Sequence, residues 1–130
     1  MMMADTLTAI QGVRMLACAP DGAKLTGERE AVELIGETMY HGVEWILLPV
    51  ERLDDNFFQL KNRLAGHIIQ KFVTYRRRLV ILGDITSQIE QSSALTAFIY
   101  ETNRGNQVWF LKDLAELTAR LEDMQPREPQ

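Results

Sequence analysis

The residues of this chain that could bind a ligand or a partner are charged side chains that follow apolar segments or flank helices. They are Glu51, Arg52, Asp54, Asp55, Asp84 and Arg104. Glu51, Arg52 and Asp84 come directly after apolar segments that are typical of buried strands. In open α/β sheets, ligands bind in crevices beyond the carboxyl ends of the strands. In such a pocket Arg52 would bind an anionic group, and Glu51 or Asp84 would act as acid or base.

Each of these residues also has a purely structural interpretation. Arg52 could pair with a neighbouring acid, and Arg104 stands between Asn103 and Gly105 in a pattern typical of a helix exit. Asp54 and Asp55 open a predicted helix, where carboxylates cap free backbone N–H groups. Because loops gather charges without any function, the structural interpretation is favoured and the pocket is the alternative.

The side chains that serve as metal ligands or nucleophiles are sparse. His41 and His67 have no second histidine or cysteine at a ligand spacing. Cys18 lies in a predicted strand with apolar neighbours, where a cysteine is usually buried and inert. The chain also lacks a glycine-rich phosphate loop and a nucleophile elbow. We therefore predict no metal, no cofactor and no catalytic residue.

The densest charge cluster is Arg76-Arg77-Arg78. It could form an anion or RNA patch, or its cations could complement the dipole at a helix C-terminus. The net charge is −4, and no aromatic residues alternate with the arginines. Both features favour the helix end, and we expect no nucleic-acid partner.

The overall composition is that of one ordinary globular domain. The chain has 130 residues, of which 46% are hydrophobic and 25% charged. No apolar run approaches the roughly 18 to 20 residues that a transmembrane helix needs. The N-terminus lacks a signal region, and a single cysteine fits a reducing compartment. We therefore expect a cytoplasmic protein that does not bind membranes.

Apolar periodicity and turn residues, among them Gln11-Gly12, predict the element order β-β-α-β-α-β-α-β-α. The last two helices are predicted to start at Ser92 or Ser93 and at a capping-box-like pair, Asp113 and Glu116. The fold class is α/β, with a mixed, mostly parallel sheet that starts with an antiparallel hairpin. One domain covers residues 7–122, and a disordered tail covers 123–130. The longest helix is predicted from Asp54 or Asp55 to about Tyr75, with Gly66 facing the sheet.

Two resemblances accompany this pattern. The element order resembles that of STAS domains, the small α/β domains of anti-sigma-factor antagonists. Six short strings of residues give a closer resemblance: Leu48-Pro49-Val50-Glu51-Arg52-Leu53-Asp54, Phe57-Phe58, Leu64-Ala65-Gly66, Gln70-Lys71-Phe72, Asn103-Arg104-Gly105 and Val108-Trp109-Phe110. They resemble a bacterial family catalogued as domain of unknown function 4180. That family implies no activity, cofactor or partner. The STAS resemblance implies a phosphorylatable hydroxyl near residues 51–56, where this chain has none.

These observations favour a non-enzymatic interaction or regulatory module with an unidentified protein partner. Its contact surface would be the Glu51-Arg52 loop and the Asp54-Asp55 helix start. The alternative is a small domain or enzyme that binds an anionic ligand at the strand ends. We expect a monomer or a weak homodimer, joined either at the exposed edge of the hairpin between Leu7 and Ala19 or through an apolar helix face.

Overall fold

The computed structural model describes residues 5–124, which form a five-stranded mixed sheet. The strands are β1 (Thr6–Ile10), β2 (Val13–Ala17), β3 (Trp45–Pro49), β4 (Arg78–Leu82) and β5 (Val108–Leu111). They lie in chain order, with β1 antiparallel to β2 and all later neighbours parallel. Gln11 and Gly12 join the hairpin, and both have the positive φ that a tight two-residue turn requires. The predicted sheet and hairpin are confirmed.

Within residues 5–124, five α-helices accompany the sheet. They are α1 (Glu28–His41), α2 (Leu64–Thr74), α3 (Thr86–Glu90), α4 (Ser93–Arg104) and α5 (Leu114–Met124). The short α3 was not predicted, and the rest of the order agrees with the expectation.

The two faces of the sheet carry separate apolar clusters. The helices α1, α2 and α4 pack on one face, against Leu16, Ile46, Leu48, Leu79, Ile81, Val108 and Phe110. On the other face α5 places Leu117 and Leu121 against Met15, Trp45, Leu47, Val80, Trp109 and Leu111. Because the parallel strands follow one another in order, right-handed crossovers place their helices on the same face. The order of the parallel strands never reverses, so the sheet has no topological switch point.

The caps predicted for the last two helices are confirmed. The Ser92 hydroxyl accepts the N–H of Leu95 and begins α4. Asp113 accepts the N–H of Glu116, whose carboxylate in turn accepts the N–H of Lys112. These reciprocal bonds fix where α5 leaves the end of β5.

The prediction of one long helix from residue 54 or 55 to about 75 is wrong. Only Leu64–Thr74 is α-helical, and two 3-10 turns, Asp55–Phe58 and Leu60–Asn62, precede it. The carboxylate of Asp54 accepts the N–H of Asn56, and the side chain of Asn62 accepts the N–H of Leu64. Such short polar side chains stabilise turns at the expense of helix.

The prediction that Gly66 faces the sheet is also wrong. Gly66 is exposed, and a Cβ built on it meets no atom within 4 Å. Ala65, Ile68 and Phe72 are the buried residues of α2 instead. The shorter helix therefore has a different inward face from the one that the longer pattern indicated.

Replacing Gly66 with alanine should stabilise the protein by about 0.5–1 kcal/mol. The methyl group has free space, and alanine loses less backbone entropy than glycine when a helix forms. Chemical denaturation of G66A against the wild type measures the change. A destabilised variant would contradict the inward face assigned to α2.

The chain end is described only in part. Helix α5 continues to Met124, so residues 123 and 124 of the predicted tail are helical. The remainder of that tail, 125–130, lies outside the described residues. Within residues 5–124, no helix is long and apolar enough to cross a membrane.

Candidate functional site

The carboxyl edge of the sheet brings together the segments that follow β3 and β4. A Cβ built on Gly83 would lie 2.5 Å from Cγ2 of Val50, so the two strand ends touch. Glu51 and Asp84 come next in their segments, and both are exposed. The fold therefore places these two predicted residues at one edge, as the strand order requires.

Arg52 points into the protein, and its side chain is 6% exposed. Its Nη1 donates to Asp5 Oδ1 (3.0 Å) and to the carbonyl of Ala19 (2.9 Å), and its Nε donates to the carbonyl of Ala23. The same Asp5 oxygen accepts the N–H of Ala19. Arg52 ends the 3-10 turn that follows β3 (Val50–Arg52), and it thus joins this turn to the chain before β1 and to the loop after β2.

Asp54 and Asp55 lie at the start of the 3-10 segment and differ in environment. Asp54 is half-buried, and its carboxylate accepts the N–H of Asn56 at 2.9 Å. This is the capping role that the structural interpretation gave it. Asp55 is exposed and lines a groove that runs to the start of α4.

That groove is a cleft of about 740 Å³ between residues 55–61 and residues 88–94. Its lining residues are Asp55, Phe58, Gln59, Leu60, Lys61, Gln88, Gln91, Ser92 and Ala94. Phe58 and Leu60 are half-buried and offer apolar surface, while Asp55 and Lys61 balance in charge. Gln59 and Gln91 make no side-chain hydrogen bond to any other residue that the structure describes. The groove therefore combines apolar surface with uncommitted amide donors and acceptors.

A second cleft, of about 210 Å³, lies at the carboxyl ends of β4 and β5. Its floor is apolar and includes Ile89, Ile99 and Phe110, and its rim includes Asp84 and Lys112. The hydroxyl and N–H of Thr86 donate to Asp84 and lower the pKa of its carboxyl, and the charge of Lys112 adds to the effect. Asp84 is thus held as a carboxylate. Because the parallel strands have no reversal of order, this cleft lacks the deep crevice of a switch point.

Arg104 stands apart from the other predicted residues. It ends α4 just before β5 begins, at the opposite edge of the sheet. Its guanidinium lies 3.4 Å from Glu101 Oε1 and 6.0 Å from the centre of the Tyr100 ring. These are contacts within its own helix.

The glutamines of the large groove were missed from the sequence. Gln59 lies in an irregular segment, and Gln88 and Gln91 flank the end of the unpredicted helix α3. Isolated glutamines carry no motif or spacing that marks a site. Only the packing of the 55–61 segment beside α3 and α4 brings them together.

Cys18 is buried at the end of β2, as predicted. Burial raises the pKa of its thiol to about 12, the nearby carboxylate of Asp5 adds to this rise, and Arg52 opposes it. Because the thiolate is the reactive form, Cys18 is inert in the folded protein at neutral pH. Between residues 5 and 124, no group of three or more potential ligands could hold a metal ion.

The buried thiol should make stability fall at alkaline pH. Above about pH 9 the unfolded chain loses the Cys18 proton while the folded chain retains it up to about pH 12. The unfolded state then binds fewer protons, so the free energy of unfolding decreases as pH rises, by up to about 1.4 kcal/mol per pH unit. Urea denaturation of the wild type and C18A at pH 8 to 10 should show a narrowing stability difference. A constant difference would contradict this assignment.

The comparisons with known proteins give one match. The family model described as Domain of unknown function (DUF4180) matches residues 10–121. No curated protein matches the chain, and no solved structure does. The resemblance to STAS domains therefore stays a prediction.

Proposed function

The chain belongs to the DUF4180 family, whose description names no activity, and we propose that it is a non-enzymatic cytoplasmic module that binds an extended segment of a partner protein. The partner segment would lie in the groove between residues 55–61 and 88–94. Asp55 lines the groove, and Glu51 and Asp54 come just before it in the chain. Arg52 would position this edge from inside rather than touch the partner.

The amide-rich lining of the groove carries the proposal. An extended peptide presents N–H and C=O groups. A glutamine side chain can accept a hydrogen bond from such an N–H and donate one to such a C=O. Gln59 and Gln91 have no competing side-chain partner within the described part of the chain. Phe58 and Leu60 add apolar surface for alternate side chains of the peptide. The nearly balanced charge of the lining favours recognition of backbone and apolar groups over that of a small ion.

A displayed random-peptide library, selected on the immobilised protein, tests the proposal without a known partner. Enriched peptides should bind the wild type and lose at least tenfold in affinity against Ala94→Arg, which fills the groove. Ala97→Arg is the matched control, since Ala97 is exposed on the same helix and lines a different surface cleft. Binding to this control should stay within twofold of the wild type.

Two results would overturn the proposal. One is a selection that enriches no peptide. The other is a set of peptides that bind Ala94→Arg as well as they bind the wild type. Both substitutions lie on the exposed surface of α4, so both variants should fold. Thermal melts verify this.

The smaller cleft supports a second candidate function, the binding of a small anionic ligand. Lys112 would attract the anion and the apolar floor would hold the rest of the molecule, with Asp84 as a fixed carboxylate. A thermal-shift screen against a metabolite library tests this candidate. A hit that Lys112→Gln abolishes favours it, and the absence of any hit removes it.

A further inference from the structure

Four arginines at the amino edge of the parallel strands have no carboxylate partner. The arginines at 76–78 lead into β4, and Arg120 of α5 donates to the carbonyls of Asn103 and Gly105, just before β5. Among residues 5–124, none of the four lies within ion-pair distance of a carboxylate.

Two of these arginines are held by stacking on tryptophan. The guanidinium of Arg78 lies 5.2 Å from the centre of the Trp45 ring, and that of Arg120 lies 4.0 Å from the Trp109 ring. The two indoles pack edge to face at 5.5 Å. Stacking on an aromatic face orders an arginine and leaves the N–H edge of its guanidinium for a planar anion.

Arg76, Arg77 and Arg78 lie just beyond the C-terminus of α2, where their charges complement the helix dipole, but among the described residues their side chains donate no hydrogen bond to that helix. The last carbonyls of α2 already accept the backbone N–H groups of residues 75, 76 and 77. The Arg77 side chain donates from Nη1 to the carbonyl of Val43, and its buried Nε has no acceptor among the described residues. Arg76 is exposed. The cationic groups are therefore not used to cap the helix.

We infer that these four residues, Arg76, Arg77, Arg78 and Arg120, form a surface that binds an acidic segment of another protein. Arginine forks pair bidentately with carboxylates, and ordered guanidinium groups lose less entropy when they do so. Exposed Glu44, beside Arg78 in the sheet, interrupts the positive surface and so opposes the continuous phosphate backbone of a nucleic acid. A segment with a few carboxylates can instead match the four cations locally. The inference stands independently of the peptide groove.

Fluorescence tests this surface with octaglutamate as the probe. Both tryptophans of the chain lie under the arginines, so saturable binding at low salt should change their emission. Arg76→Gln/Arg78→Gln should raise the dissociation constant at least tenfold. Lys24→Gln/Arg63→Gln changes the net charge equally at two exposed residues that line neither cleft, and it should have less than a twofold effect.

Three results would overturn the inference: no saturable change in emission, equal losses in the two double variants, or tighter binding of an eight-residue thymidine oligonucleotide than of octaglutamate. If the Arg76→Gln/Arg78→Gln variant does not fold, Arg76→Glu replaces it. Arg76 is exposed and its side chain makes no hydrogen bond or ion pair within the described residues. A folded Arg76→Glu variant that binds octaglutamate like the wild type would equally overturn the inference.

Discussion

Replacing Arg52 with methionine should destabilise the protein by about 3–5 kcal/mol, the cost of breaking a buried ion pair by removing one partner. Methionine fills similar space but removes the guanidinium that donates to the Asp5 carboxylate and to the carbonyls of Ala19 and Ala23. Among the described residues, Asp5 then keeps only the N–H of Ala19 as a donor. Because the Arg52 side chain is almost fully buried, water cannot replace those donors without opening the loop. Urea denaturation measures the loss.

The matched control for Arg52 is Arg104→Met. Arg104 also pairs with an acid, but both side chains are largely exposed, and such pairs contribute about 1 kcal/mol or less. Arg52→Lys should recover only part of the stability, since an ammonium group cannot reproduce the fork of the guanidinium. Equal effects of the two methionine substitutions would show that Arg52 is not the buried link described above.

Replacing Gly83 with alanine should cost about 2–6 kcal/mol. Gly83 has φ of 151°, which side-chain-bearing residues rarely adopt, and an added Cβ would lie 2.5 Å from Cγ2 and 2.8 Å from Cβ of Val50. Backbone strain and overpacking each contribute about 1–3 kcal/mol. The thermal unfolding midpoint should fall by several degrees or more.

A second substitution separates the two causes. In a Val50→Ala background the Cγ2 contact disappears, so Gly83→Ala should cost less there, while the 2.8 Å contact with Cβ of residue 50 and the strain at φ remain. Gly66→Ala is the control for the glycine change itself, because that methyl group meets nothing. If Gly83→Ala were neutral, the close approach of the β3 and β4 ends would be contradicted.

The sequence predicts best where its signals are local. The hairpin turn, the Ser92 cap and the Asp113–Glu116 cap each depend on residues within a few positions, and all three are confirmed. The prediction of helix before residue 64 was wrong because local side-chain hydrogen bonds there outweighed the apolar pattern. The apolar pattern continued through it, but the local bonds of Asp54 and Asn62 favoured turns.

The environment of Arg52 could not be predicted in detail. Its partners lie 29, 33 and 47 residues away along the chain, and nothing in the residue pattern indicates which acid or carbonyl it meets. A neighbouring acid was one of the two interpretations, and the structure identifies it as Asp5.

The residues that line the peptide groove could be predicted even less. Of the six predicted residues, only Asp55 lines it, and the others that do are glutamines, apolar side chains and Ser92. Their types are common on any surface. Their arrangement follows from the 3-10 segment packing beside α3, two elements that the apolar periodicity did not reveal.

The most direct test of the groove is a backbone-amide NMR titration with the tightest peptide from the selection. We expect saturable shifts concentrated in residues 55–61 and 88–94, with the Ala97→Arg variant behaving as the wild type. Shifts concentrated instead at residues 83–86 and 111–116, around the smaller cleft, would contradict it.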